Sequence, residues 1–241
     1  MKSHLVTTSK QITIGFLICL LLVVIYPLSA TLRVESVKPQ KFIPGLTGKT
    51  VVIDPGHGGA DPGAIFGETR EADLNMKLAN VLKAQLELAG VNVVMTRTGD
   101  QGLVSKNPMT YSDRSYILRQ RKEYAARKSG QIFISIHINS NKDPRVSGGI
   151  VYYADQDSRS LAVPIQQCIN LYSGKNRQPI KKGFNITSGN KMPSVLVEAA
   201  FITNRHDREI LVLKPELPAQ AIFEGMQVYA ENLITTGEQH D

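Results

Sequence analysis

The sequence of 241 residues contains no tryptophan and only two cysteines, and aromatic residues make up 6% of it. Cys19 lies in an apolar N-terminal run, so Cys168 has no disulfide partner in the rest of the chain. No stretch combines dense Lys and Arg with aromatic side chains, which argues against a nucleic-acid partner. The overall composition, 42% hydrophobic and 20% charged, is typical of a folded protein.

Acidic residues are also in the minority, with 21 Asp and Glu against 28 Lys and Arg, and the net charge is +7. This excess of positive charge favours a polyanionic partner, such as anionic lipid or an anionic cell-wall polymer.

The N-terminal segment predicts export. Residues 12–28 carry no charge, and Lys2 and Lys10 precede them. This pattern indicates that residues 1–31 are a signal peptide or a membrane anchor, with the remaining chain outside the cytoplasm. Contact with a membrane is expected only through this segment. We interpret residues 32–48 as a linker and residues 49–241 as one domain.

Strand-like and helix-like runs alternate after residue 49. The predicted strands are residues 50–53, 91–96, 132–139, 149–154, 184–187 and 195–201. The predicted helices are residues 74–90, 113–128, 158–172 and 218–234, with a further short helix capped by Asn204. This alternation predicts a single α/β domain, with a mainly parallel or mixed twisted sheet and helices on both faces.

Polar side chains lie near the carboxyl ends of three predicted strands. His57 follows the first strand, His137 lies near the end of IFISIHIN, and Glu198 lies near the end of VLVEAAF. Sites in open α/β sheets form beyond these strand ends, so the three side chains are candidates for one site. Zinc hydrolases commonly use three His or carboxylate ligands and leave one position for water. A zinc ion would therefore account for polar side chains of these types at one edge of the sheet.

Chemistry alone leaves several assignments open. The acids that could complete the ligand set are Glu71, Glu68 and Asp73. His137 could instead be an ordinary core histidine, and Glu198 could form a structural ion pair with Arg97 or Lys191.

Four segments, in order, resemble the zinc-dependent N-acetylmuramoyl-L-alanine amidases. They are VVIDPGHGG with DPGA and TRE at residues 51–71, TRTGD at 96–100, SIHIN at 135–139 and PSVLVEAAF at 193–201. The resemblance covers nearly all of residues 49–233 and implies that residues 49–241 are a zinc amidase catalytic domain. It implies that His57, Glu71 and His137 bind one Zn²⁺ ion and that Glu198 is catalytic, so the resemblance selects Glu71 over Glu68. Ala200 stands where the family usually has glycine.

The implied reaction is hydrolysis of the amide between N-acetylmuramic acid and L-alanine in peptidoglycan, with Glu198 as general base. Arg97 and Asn139 are candidate substrate contacts. The single compact domain looks most like the spore-cortex amidases, which act with a polysaccharide deacetylase to form muramic lactam, and an activating protein is a further expected partner. The alternatives are an inactive peptidoglycan-binding module and another zinc hydrolase of the wall, either a deacetylase or a peptidase.

Overall fold

The computed structural model describes residues 42–100 and 110–237. Its strands are β1 (Thr50–Pro55), β2 (Ile65–Phe66), β3 (Thr69–Arg70), β4 (Asn92–Met95), β5 (Ile132–Asn139), β6 (Ile150–Tyr153), β7 (Ile180–Lys181) and β8 (Ser194–Phe201). Its helices are α1 (Glu71–Leu88), α2 (Tyr111–Arg127), α3 (Gln156–Ser173), α4 (Arg205–Leu213) and α5 (Glu216–Thr236). A 3₁₀ turn at Pro44–Leu46 precedes β1.

The described strands form a six-stranded sheet in the order β4–β1–β5–β8–β6–β7, and β2 pairs with β3 in a separate hairpin. Within that sheet β6 runs antiparallel to β8, and the other pairings are parallel. The prediction of a mainly parallel or mixed sheet is therefore confirmed. The central strands β1, β5 and β8 end side by side, which brings the loops and side chains at their carboxyl ends to one edge.

The two faces of the sheet are covered unequally. Because successive side chains of a strand point to opposite faces, Ile134 and Val197 face one way while Phe133 and Leu196 face the other. The first face packs against α1, α3 and α5 in the larger hydrophobic cluster. The second face carries a smaller cluster, to which α2 contributes Ala125. Helices therefore lie on both faces, as predicted.

The folded domain begins earlier than residue 49. Ile43 and Leu46 are buried in the larger cluster, so the segment from Ile43 onward is core and not linker. The 3₁₀ turn lies directly against α5, since a Cβ added to Gly45 would come within 2.8 Å of the Ala230 carbonyl oxygen. Pro44 and Gly45 are typical of linkers, so the local composition does not indicate that the residues on either side of them are buried.

The predicted strand at residues 184–187 is wrong. These residues form a turn in which the amides of Thr187 and Ser188 donate to the Phe184 carbonyl oxygen, at 2.9 and 2.8 Å. The sheet is instead extended by β7, a few residues earlier. Phe184 and Ile186 pack on the smaller cluster from this turn, so their apolar character reflects burial without strand pairing.

The predicted signal peptide or anchor at residues 1–31 and the first part of the predicted linker lie outside the described residues. In the ranges 42–100 and 110–237, no helix is long and apolar enough to cross a membrane.

Candidate active site

Three predicted metal ligands meet at the edge of the sheet. His57 follows β1, Glu71 is the first residue of α1, and His137 lies in β5. One ligand atom from each side chain lies within 4.8 Å of the other two. The Glu71 Oε1 atom is central to the group, at 3.1 Å from both His57 Nε2 and His137 Nδ1.

The backbone fixes the Glu71 carboxylate. The amide of Ala64 donates to Oε2 at 2.8 Å, and the amide of Ile138 donates to Oε1 at 3.1 Å. Burial alone would raise the pKa of this carboxyl, but its hydrogen bonds to His137 and His57 hold the pKa well below the usual range. The group is therefore an ionised carboxylate facing two imidazole rings.

The competing acids lie elsewhere. Glu68 is exposed in the turn between β2 and β3. The side chain of Asp73 is 55% exposed, and its Oδ1 atom lies 3.6 Å from Arg70 Nη1. The structure thus brings Glu71 to the histidines and leaves the other two acids on the surface.

Asp61 is a further residue of the candidate site, and it was not predicted from the sequence. Its Oδ2 atom lies 3.0 Å from His57 Nδ1, on the side of the ring opposite the Glu71 contact. Burial lowers the pKa of His57, but the carboxylates of Asp61 and Glu71, at 3.0 and 3.1 Å from its ring nitrogens, outweigh it and raise the pKa to about 9. A carboxylate behind a ligand histidine fixes the ring and its tautomer. The signal was present in the sequence, as an acid four residues after the histidine in a glycine-rich loop.

Glu198 lies beside His137, because these two residues are register partners in the β5–β8 pairing. Its Oε2 atom is buried and has no hydrogen-bond partner among the described residues. Burial, reinforced by the charge of Glu71, raises the pKa of Glu198 to about 7 although His137 acts in the opposite direction. No ion pair among the described residues joins Glu198 to Arg97 or Lys191, and the Arg97 guanidinium donates to backbone carbonyl oxygens instead.

Arg97 has a different position from the one expected of a substrate contact. It is 8% exposed, and its guanidinium donates to the carbonyl oxygens of Pro55, Gly56 and Ala72, each at 2.9 Å. A fourth bond runs to the Gly99 carbonyl oxygen at 2.8 Å. The structure corrects the expectation, because these bonds hold the guanidinium behind the loop that carries His57.

Asn139 is partly exposed at the end of β5. Its Oδ1 atom accepts a hydrogen bond from the Ser140 amide at 2.8 Å. A substrate contact by Asn139 stays a prediction.

A cleft of about 400 Å³ opens over the metal-ligand group. His57 and His137 line it together with apolar side chains from α2 and from the turn after β7, namely Ile117, Leu118, Phe184 and Ile186. His137 and Glu198 project from the same sheet face as Phe133 and Leu196, which is the thinly covered face. His57 and His137 are therefore accessible from a mainly apolar groove between this face and α2, and Glu198 lies beside His137.

The comparison with known sequences decides the family. Residues 51–228 match the profile of the family described as N-acetylmuramoyl-L-alanine amidase. The chain belongs to the N-acetylmuramoyl-L-alanine amidase family. One similar member is the amidase LytC of Bacillus subtilis (strain 168), which is 34% identical over 191 residues. That match covers 76% of this chain but only 36% of LytC, so the chain corresponds to about a third of that relative.

Solved structures of amidases are also similar. The CwlD amidase from Clostridioides difficile, in complex with the GerS lipoprotein, is 31% identical with a TM-score of 0.71, and the match covers 76% of this chain and 99% of that one. The amidase AmiC2 of Nostoc punctiforme is 34% identical with a TM-score of 0.67, covering 77% and 99%. These matches span the domain described above.

The residues present in this amidase fold fit a zinc ion. Two imidazole nitrogens and a carboxylate oxygen form a donor set that zinc prefers. The Asp61 carboxylate supports His57 from behind, as such sites require. The cleft leaves the exposed side of the group open for water or substrate.

Gly56→Ala is expected to disrupt this group. A Cβ atom at Gly56 would overlap Cε1 and Nε2 of His137, so the imidazole must move. We expect zinc affinity to fall by ~10-fold or more, because misplaced ligand rings bind metal poorly. Competition with a chromogenic chelator measures the loss. Gly99→Ala is the matched control, since no atom of the described residues lies within 4 Å of its added Cβ. Equal zinc affinity in the two variants would contradict the expectation.

Proposed function

We propose that the chain is a zinc-dependent amidase that hydrolyses the bond between N-acetylmuramic acid and L-alanine in peptidoglycan. The observation that carries the proposal is the meeting of His57, Glu71 and His137 beside Glu198, whose buried Oε2 atom lacks a partner among the described residues. Family membership supports the choice of substrate bond. The intact ligand group and the carboxylate beside it argue against an inactive binding module.

The side chains have separate roles in this mechanism. His57, Glu71 and His137 would hold the ion, which supplies Lewis acidity that polarises the scissile carbonyl and acidifies a water molecule. Glu198 takes a proton from the attacking water and gives it to the leaving amine of L-alanine. Burial raises the pKa of Glu198 to about 7 in the metal-free chain, and a bound cation would lower the pKa towards the ionised form that accepts the proton. Asp61 keeps the His57 ring oriented throughout.

We propose an extracytoplasmic location, which the peptidoglycan substrate and the apolar residues 12–28 support. We also propose a role in the spore cortex, with a deacetylase acting on the same polymer and a protein that activates the enzyme. The likeness to CwlD supports this finer assignment, and the CwlD structure itself contains the GerS lipoprotein.

Digestion of purified peptidoglycan by the zinc-loaded protein tests the reaction. We expect mass spectrometry to show stem peptides with free L-alanine N-termini and glycan strands that keep their acetyl groups. Release of acetate or cleavage inside the stem peptide would identify another wall hydrolase. Zinc binding with no cleavage of the polymer would favour the binding module.

A further inference from the structure

Two buried arginines donate to the backbone of the loop that carries His57. Arg121, from α2, is 5% exposed, and it donates to the Pro55 carbonyl oxygen at 3.0 Å and to the His57 carbonyl oxygen at 2.5 Å. Arg97, which lies two residues after β4, donates to the Pro55 and Gly56 carbonyl oxygens. Three consecutive carbonyl groups are therefore held by two guanidinium groups.

A carboxylate fixes the position of Arg121. Asp54 is fully buried, and its Oδ1 atom accepts from Arg121 Nη1 at 3.1 Å and from Thr96 Oγ1 at 2.5 Å. Its Oδ2 atom accepts from Ser135 Oγ at 2.7 Å. The hydrogen bonds on both oxygens hold the carboxylate still, so the guanidinium that it binds has one orientation.

The backbone of His57 needs such support. Its φ is 61°, in the left-handed region that a residue with a Cβ rarely adopts. The bond from Arg121 Nη2 to the His57 carbonyl oxygen holds the backbone of this residue in place, while the contact with Asp61 holds its ring. We propose that Arg121 is a positioning residue that holds His57 in its left-handed conformation and so sets the zinc affinity of the site. This inference rests on the zinc site of the proposed function.

The fork of the guanidinium is essential to this role. Its Nη1 atom serves Asp54 and Pro55 while Nη2 reaches His57, and the planar group fixes the spacing between the two nitrogens. A lysine carries one nitrogen and cannot reproduce that spacing, although it keeps the positive charge beside Asp54.

Arg121→Lys tests the proposal in the full chain. We expect zinc to bind ~10–100-fold more weakly, the range found when a group supporting a metal ligand is lost. We also expect the visible spectrum of the Co²⁺-loaded protein to change, since that spectrum reports the geometry of the ligands. Lys122→Met is the matched control, because Lys122 lies next to Arg121 on α2. It donates to the Ser188 carbonyl oxygen and not to the loop that carries His57. Its zinc affinity and Co²⁺ spectrum should equal those of the wild type.

A second variant covers the case in which lysine is not accommodated. Asp54→Asn combined with Arg121→Gln removes both buried charges together and avoids leaving one of them unpaired. The proposal would be overturned if either Arg121 variant kept the wild-type zinc affinity and Co²⁺ spectrum. It would also be overturned if Lys122→Met lost as much zinc affinity as the Arg121 variants. The zinc titration does not depend on which bond is hydrolysed. A wild type that binds zinc but leaves the muramoyl–alanine amide intact would therefore reject the proposed reaction alone, and a wild type that binds no zinc would reject both.

Discussion

Glu198→Gln is expected to hydrolyse the muramoyl–alanine amide ~10²–10⁴-fold more slowly than the wild type, the usual contribution of a general base. Glutamine has the same shape but cannot take a proton from water. Glu198 does not belong to the His57–Glu71–His137 group, so zinc affinity should stay at the wild-type value. Initial rates of release of L-alanine N-termini, measured at equal zinc occupancy, test this. A variant that digests peptidoglycan at the wild-type rate would remove Glu198 from the mechanism.

The same substitution should change how stability depends on pH in the zinc-free protein. Burial raises the pKa of Glu198 from 4.5 to about 7, so between these values the folded chain keeps a proton that the unfolded chain has released. This contribution is complete below pH 4.5 and is lost as the pH rises through 7. The loss is on the order of 3 kcal/mol at 1.36 kcal/mol per unit of pKa. Urea unfolding at pH 4.5 and pH 7.5 should show a smaller fall for Glu198→Gln than for the wild type, and equal falls would contradict the burial argument.

Glu71→Gln is expected to weaken zinc binding by ~100-fold or more, beyond the 10–100-fold typical of lost supporting groups, because it alters a ligand directly. The substitution removes the negative charge that lies 3.1 Å from both imidazoles. It also leaves a single acceptor oxygen for the amides of Ala64 and Ile138, which now bond to different oxygens of the carboxylate. Activity without added zinc should disappear.

Glu68→Gln is the matched control for this experiment, since Glu68 lies three residues earlier and is exposed in the β2–β3 turn. Isothermal titration with zinc should give the wild-type affinity for Glu68→Gln. The opposite order of effects would show that Glu68 is the ligand and that the loop rearranges when metal binds.

The sequence predicts those strands and helices whose side chains are buried at a regular spacing along the chain. Residues 132–139 alternate in polarity at their carboxyl end, and β5 has these bounds. The leucines at every fourth position from Leu74 face the larger cluster, so the helix that they predict is α1. The rule that sites form beyond the carboxyl ends of parallel strands groups His57, His137 and Glu198, and the β5–β8 register places the last two side by side.

Contacts between distant parts of the chain explain what the sequence does not predict. Arg121 bonds to the His57 carbonyl oxygen across 64 positions, and only the packed structure brings them together. Arg97 is an arginine in a family motif, and its burial behind the loop depends on how β4 ends beside β1. The choice of Glu71 over Glu68 likewise depends on the direction of the chain at the start of α1, which local composition does not fix.

The unequal cover of the sheet has a consequence for local unfolding. One face is closed by α1, α3 and α5 over the larger cluster, whereas α2 is attached mainly through the smaller cluster and the bonds of Arg121. Elements with few buried contacts open at a lower free energy than the whole domain. Each opening of α2 would remove the wall of the cleft and the donor to the His57 carbonyl oxygen together. A substrate bound against α2 would bind only the state in which α2 is packed on the sheet. Substrate binding would therefore stabilise the loop that carries His57 against local unfolding.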